Sequence, residues 1–126
     1  MPGQDKGAIV VVDDDDGLRQ ALGRVLSAAG FRAETFASAE VLLECEGAHG
    51  AACLVLDVHL PGRSGFELRR ELVRTGGAQP PVIFITGHDD PAARAQAEAL
   101  GAAGYLPKPF AGRTLVAAVA RAVGGG

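Results

Sequence analysis

Apolar and polar positions along the chain fall into two alternating patterns. Three short runs are continuously apolar: AIVVV at 8–12, AACLVL at 51–56 and PVIFI at 81–85. Unbroken runs of this length, rich in Val, Ile and Leu, predict strands covered on both faces. Two weaker candidates lie at 31–36 and 103–106. Between them the apolar period lengthens to that of a helix. Leu18, Ala21, Leu22, Val25, Leu26 and Ala29 share one face, and Gly30 ends that helix. Ser38 caps a short helix expected to carry Val41, Leu42 and Cys45. Ser64 to Glu67 spells a capping box ahead of Leu68, Leu72 and Val73. Asp90 followed by Pro91 predicts an N-cap and first turn for a helix reaching about Leu100, and a last helix runs from about Gly112 to Val123.

Five strands alternating with five helices predict a parallel sheet with helices on both faces. The expected fold class is α/β, a flavodoxin-like doubly wound (βα)5 sandwich with strand order 2-1-3-4-5. Residues 8–123 form the expected domain. Residues 1–7 read as an N-terminal tail, and 124–126 as a C-terminal tail or linker remnant.

Composition narrows the function classes. The chain has 126 residues, 48% apolar, with a formal net charge of −3 and only 12 Lys plus Arg. That balance offers no basic footprint for direct nucleic-acid binding. No apolar stretch approaches the ~18 residues of a bilayer span, and the first residues lack the regions of a signal peptide. Cys45 and Cys53 match no metal or redox spacing and read as reduced core or near-core thiols. A cytoplasmic protein without membrane contact is expected.

In an open parallel sheet, ligands bind beyond the carboxyl ends of the strands. Asp13 and Asp14 follow the first strand, Asp57 the third, Thr86 the fourth, and Lys108 the fifth. With strands one and three adjacent, three carboxylates converge. Such a cluster repels itself unless a cation joins it. Lys108 supplies one charge. All-oxygen ligands with few protein donors favour Mg²⁺ over a caged Ca²⁺. Asp15 and Asp16 are expected at the start of the first helix, where negative charge meets the positive end of the dipole.

The segments VVDDDDGLRQAL, LVLDVHLPGRSGFEL, VIFITGH and GYLPKPF resemble the signature segments of a bacterial two-component response-regulator receiver domain. Each segment alone is common; the four together, in order and at strand ends, are specific. The resemblance implies that Asp57 is the phosphoacceptor, attacking a phosphoryl group on a histidine of a sensor kinase or phosphotransfer protein. It implies that Asp13, Asp14, Asp57 and the backbone carbonyl of His59 hold Mg²⁺, Asp13 chiefly through metal-bound water. Thr86 and Lys108 would bind phosphoryl oxygens, and Thr86 and Tyr105 would form the switch. It implies a signalling protein that catalyses only its own phosphotransfer and dephosphorylation, with output through the last two helices and the fifth strand. A cis bond at Lys108-Pro109 is also common in the family.

Competing readings stand beside these. Asp57 alone reads as a turn residue, Asp13 and Asp14 as helix caps, Thr86 as a strand terminator and Tyr105 as half-buried packing. His59 and His88 read either as rim residues that tune phosphate lifetime or as plain surface residues. His49 reads as a loop residue. In the last helix Leu115, Ala118, Val119 and Ala122 form a core stripe. The second stripe, Val116, Ala120 and Val123, is either simply exposed or meets a partner or a symmetry mate, giving a homodimer. At the level of the whole chain, a pseudo-receiver interaction module is the alternative function. A flavin or nucleotide enzyme on the same fold lacks a P-loop or G-x-G-x-x-G after the first strand.

Overall fold

The computed structural model describes residues 7–45, 48, 50–76 and 79–124. His49 and residues 1–6, 125 and 126 lie outside the described residues, so the expectations for them are not addressed by the fold. The elements run β1 (Ile9–Val12), α1 (Asp16–Ala28), β2 (Ala33–Phe36), α2 (Ala39–Cys45), β3 (Cys53–Asp57), α3 (Gly65–Arg74), β4 (Val82–Thr86), α4 (Pro91–Ala99), β5 (Gly104–Pro107) and α5 (Gly112–Gly124). All pairings are parallel, in the order β2-β1-β3-β4-β5. The expected α/β doubly wound order is therefore observed.

Side-chain alternation splits the core between the two sheet faces. Val10, Val12, Leu54, Leu56, Val82 and Phe84 face one way, against Ala39 and Leu42 of α2, Phe66 and Leu68 of α3, and Ala93 and Ala97 of α4. Ile9, Val11, Cys53, Val55, Ile83 and Ile85 face the other, against Leu22 and Leu26 of α1 and Leu115, Ala118 and Val119 of α5. Each such Val, Ile or Leu is worth roughly 1.5–3 kcal/mol on burial, which fixes the strand register. Every residue of β1, β3 and β4 is buried, which is why those runs are continuously apolar. Edge strand β2 exposes Glu34 and Thr35, which weakens its pattern.

The helix starts follow local chemistry. Asp15 caps α1 by accepting from Leu18 N–H at 2.9 Å, and Asp90 caps α4 by accepting from Ala93 N–H at 2.7 Å. The Ser38 hydroxyl accepts from Val41 N–H at 3.1 Å. Ser64 and Glu67 complete the capping box of α3: Ser64 Oγ accepts from Glu67 N–H at 3.0 Å, and Ser64 N–H donates to Glu67 Oε1 at 2.8 Å. Ser64→Ala removes that acceptor and is expected to lower stability by about 1 kcal/mol in a urea titration, with Ser64→Asn largely retaining it. A midpoint unchanged in the Ala variant would show that the cap carries no stability.

Three helix-face expectations need correction. On α2, Val41 and Cys45 are exposed, and the inward positions are Ala39 and Leu42. Val41 and Cys45 do share a face by helical spacing, but the chain enters the helix with the 39/42 face toward the sheet. Cys45 is thus a surface thiol, while Cys53 is fully buried and its thiol is pushed up to about 12 by burial, with Arg69 pulling weakly the other way. On α3, Val73 is exposed, and Arg69 is buried in its stead, donating to Pro80 O at 2.9 Å. On α5, the core stripe is as expected, but Val123 packs at the edge of the core and Gly124 closes the helix, so the second stripe shrinks to Val116 and Ala120.

Candidate functional site

The four aspartates take four different jobs as the chain leaves β1. Asp13 is fully buried, and its backbone N–H donates to Phe36 O at 3.1 Å. Its Oδ1 accepts from Asp15 N–H at 2.9 Å, a local turn that leaves Oδ2 aimed elsewhere. Asp14 is exposed. Asp15 caps α1, and Asp16 stands in its first turn, paired with Arg19 at 2.6 Å. Arg19 also donates to Asp13 O at 2.9 Å, tying the turn to the helix.

Asp57 ends β3 and is buried, with Oδ1 accepting from His59 N–H at 3.0 Å. The strand order places it beside Asp13. Carboxylate oxygens of Asp13, Asp14 and Asp57 all lie within 4.8 Å of one another. Lys108, just past β5, reaches between them: Nζ donates to Asp13 Oδ2 at 3.1 Å and to Asp57 Oδ2 at 3.0 Å. Its backbone N–H donates to Thr86 O at 2.7 Å, and the Lys108-Pro109 bond is cis.

The electrostatics are unbalanced. Burial lifts the Asp13 carboxyl above its ordinary value; the Asp15 N–H opposes this, and the charge of Asp57 adds to the rise. Burial works against the Lys108 ammonium, but its bonds to Asp57 and Asp13 outweigh that and raise it. One ammonium therefore holds its own charge while the Asp13 carboxyl stays raised. An all-oxygen donor set with residual negative charge fits a hard divalent cation.

Thr86 ends β4, fully buried, and its Oγ1 accepts from His88 N–H at 2.9 Å. The rings of His59 and His88 meet edge-on, centroids 5.8 Å apart, and both residues are exposed. They line a cleft of about 360 Å³ that runs between α3 and α4 past Phe66, Arg70 and Gln96. So the structure brings Lys108 into direct contact with Asp13 and Asp57, with an Asp14 oxygen within 4.8 Å of theirs and Thr86 one strand away.

Tyr105 stands apart from that group. It is half-buried on β5, packed against the core beneath α4, and its hydroxyl donates outward to Asp89 Oδ1 at 3.0 Å. The Asp89–Tyr105 contact spans the β4–α4 loop and β5, a pairing that no local sequence signal announces. Gly65 is likewise silent in the sequence, where it appears only as a member of the capping box. A Cβ there would come within 2.3 Å of Asp57 O.

Comparison with known proteins agrees with this geometry. The family model for the response regulator receiver domain matches residues 9–120. The transcriptional regulatory protein FixJ of Azorhizobium caulinodans is 40% identical over 114 residues, which cover 90% of this chain and 54% of that one. The chain spans about half the length of the curated relatives it matches. Among solved structures, a BeF3-activated DrrB receiver domain is similar with a TM-score of 0.83 and 34% identity, over 94% of this chain and 97% of that chain. A response regulator receiver protein from Burkholderia phymatum gives 0.80 and 39%, over 94% and 96%. Among the described residues no helix is long and apolar enough to cross a membrane. The fold, the acidic cluster at its sheet edge and the family match over nearly the whole domain place this chain in the response regulator receiver domain family of two-component signalling proteins.

Proposed function

We propose that the chain is a phosphorylation switch whose acceptor is Asp57. The observation that carries this reading is the meeting of Asp13, Asp14 and Asp57 oxygens within 4.8 Å, with Lys108 seated between Asp13 and Asp57. The donor is a phosphohistidine of a sensor kinase or phosphotransfer protein. An Asp57 carboxylate oxygen attacks phosphorus, the P–N bond breaks, and the imidazole leaves as its nitrogen takes up a proton. The product is an acyl phosphate on Asp57.

The chain's own residues do the positioning that such a transfer needs. His59 N–H fixes Asp57 Oδ1, which leaves Oδ2 toward Lys108. The Lys108 ammonium pairs with a phosphoryl oxygen, and the Thr86 hydroxyl turns from His88 N–H to another. Asp13, Asp14, Asp57 and the His59 carbonyl would hold Mg²⁺, which when bound supplies charge neutralisation for the phosphoryl oxygens. His59 and His88 stand at the rim and govern water access, hence the lifetime of the phosphate.

Output follows from Thr86. As its hydroxyl turns to the phosphate, space opens behind it, and Tyr105 moves inward to fill it. The face formed by α4, β5 and α5 then changes shape for a partner or a second copy of the chain. The FixJ relative is a transcriptional regulator, and the matched stretch covers 54% of it. We infer a comparable setting here, in the cytoplasm, with this unit controlling an attached or separate output domain and not touching DNA itself.

The metal reading has a direct stability test. Asp13 is raised in the folded state, so its contribution is present below its ordinary value and lost as pH rises through the raised one. Burial and the neighbouring Asp57 charge thus disfavour the Asp13 carboxylate in the folded chain, and a dication among the carboxylates would offset both. Mg²⁺ at ten times its dissociation constant is expected to add about 1.4 kcal/mol to the unfolding free energy. That increment should shrink in Asp13→Asn. A melting temperature indifferent to Mg²⁺ would count against the site. The transfer itself is tested by the mass of the chain after exposure to acetyl phosphate and Mg²⁺.

A further inference from the structure

Asp89, three residues beyond Thr86, is the hub of a three-residue network. Arg94 of α4 grips it with a fork: Nε donates to Oδ1 at 3.0 Å and Nη2 to Oδ2 at 2.9 Å. The Tyr105 hydroxyl donates to the same Oδ1 at 3.0 Å. The Arg94 guanidinium also lies over the Tyr105 ring, 4.9 Å from its centroid. The loop after β4, helix α4 and strand β5 are thus joined through one carboxylate.

The network lies on the surface, where ion pairs add little to fold stability. Its effect is on orientation. Beside Tyr105 a cleft of about 160 Å³ opens, lined by Arg94, Ala97, Glu98, Ala102 and Gly104. The ring is therefore not wedged in place from that side. On its exposed side the half-buried ring is tied by the bond to Asp89 and the stacked guanidinium, each of which an inward-moving ring must give up. The fork matters here: a planar guanidinium fixes both carboxylate oxygens and still presents its face to the ring.

We propose that Asp89 and Arg94 form an autoinhibitory clasp that holds Tyr105 outward and sets the resting bias of the switch. Its signalling consequence rests on the phosphoacceptor reading above; its existence does not. Phosphorylation pulls Thr86 and the loop that carries Asp89, so the same event that opens space for the ring also strains the clasp. Arg94 and Asp89 are positioning residues in this scheme, and neither touches the phosphate.

The chain has one tyrosine and no tryptophan, so 3-fluorotyrosine places a single ¹⁹F reporter at position 105. The H₂O-to-D₂O shift of that resonance measures how far the ring is exposed. It is compared, without phosphodonor, in the full chain and in its Asp89→Asn, Arg94→Ala and Arg94→Lys variants. Asp89→Asn and Arg94→Ala are expected to move toward the less exposed position, with the inward population rising on the order of threefold. Arg94→Lys, which keeps the charge and loses the fork, falls between. Thermal stability should stay near that of the unaltered chain, as for surface ion pairs in general, so ring exposure and not stability is the deciding readout. Variants with equal or greater ring exposure overturn the clasp. Failure of the unaltered chain to gain a phosphoryl mass sinks the function of Asp57 instead, and leaves the exposure result to stand on its own.

Discussion

An Asp57→Asn variant exposed to acetyl phosphate and Mg²⁺ is expected to keep its unmodified mass, while the unaltered chain gains one phosphoryl group. The loss should be complete, because a neutral amide oxygen is no nucleophile toward phosphorus. Three features keep the experiment from being confounded by unfolding. The amide oxygen can still accept from His59 N–H, which now satisfies Asp57 Oδ1 at 3.0 Å. Removing the Asp57 charge also relieves Asp13, whose carboxyl that charge helps to raise. Lys108 keeps its bond to Asp13. The metal-free variant should therefore melt no lower than the unaltered chain. Modification persisting in Asp57→Asn would move the acceptor to another carboxylate, with Asp13 the nearest buried one. An unaltered chain that stays unmodified would leave an interaction module not controlled by phosphate.

Much of this was legible in the sequence because burial leaves a simple trace. β1, β3 and β4 are buried throughout, and their residues had to be apolar on both faces. The strand order then followed from alternation, and with it the meeting of Asp13, Asp14 and Asp57. The roles of Asp15, Ser64 and Asp90 were equally local, since a cap is chosen within four residues of its donor. Helix faces were less secure. The spacing of Val41 and Cys45 suits a buried stripe, yet nothing in seven residues says which stripe meets the sheet. Arg69 went unread because a buried guanidinium looks like a surface one until Pro80 O is found beneath it. The Asp89–Tyr105 bond joins residues sixteen apart on different elements, beyond the reach of any period or cap. Gly65 is the sharpest case, since its importance is a distance and not a pattern.

Gly65→Ala shows which of two opposed effects prevails. Gly65 opens α3, and within a helix alanine is favoured over glycine by about 1 kcal/mol. Propensity alone therefore predicts a gain. Sterics oppose it. The new Cβ would stand 2.3 Å from Asp57 O, 3.0 Å from Asp57 C and 3.2 Å from Val58 Cα. All three are backbone atoms, so no side chain can swing aside. The Gly65 N–H donates to Val58 O at 3.0 Å, and the capping box fixes where α3 begins, so the helix cannot simply slide away. Overpacking of this kind costs roughly 1–3 kcal/mol beyond any propensity gain, because backbone must shift. For a domain of this size the melting temperature should fall by roughly 5–10 °C. The displaced carbonyl belongs to Asp57, the proposed phosphoacceptor, so its side chain moves with it. The Mg²⁺-dependent rise in melting temperature and the rate of phosphoryl uptake should both drop, by about tenfold for the rate if the oxygen is misplaced by a fraction of an ångström. Calorimetry with and without Mg²⁺ reads the first two effects, and timed mass measurement reads the third. A variant that melts at or above the unaltered chain would mean that α3 does not press on the end of β3 as closely as the geometry requires.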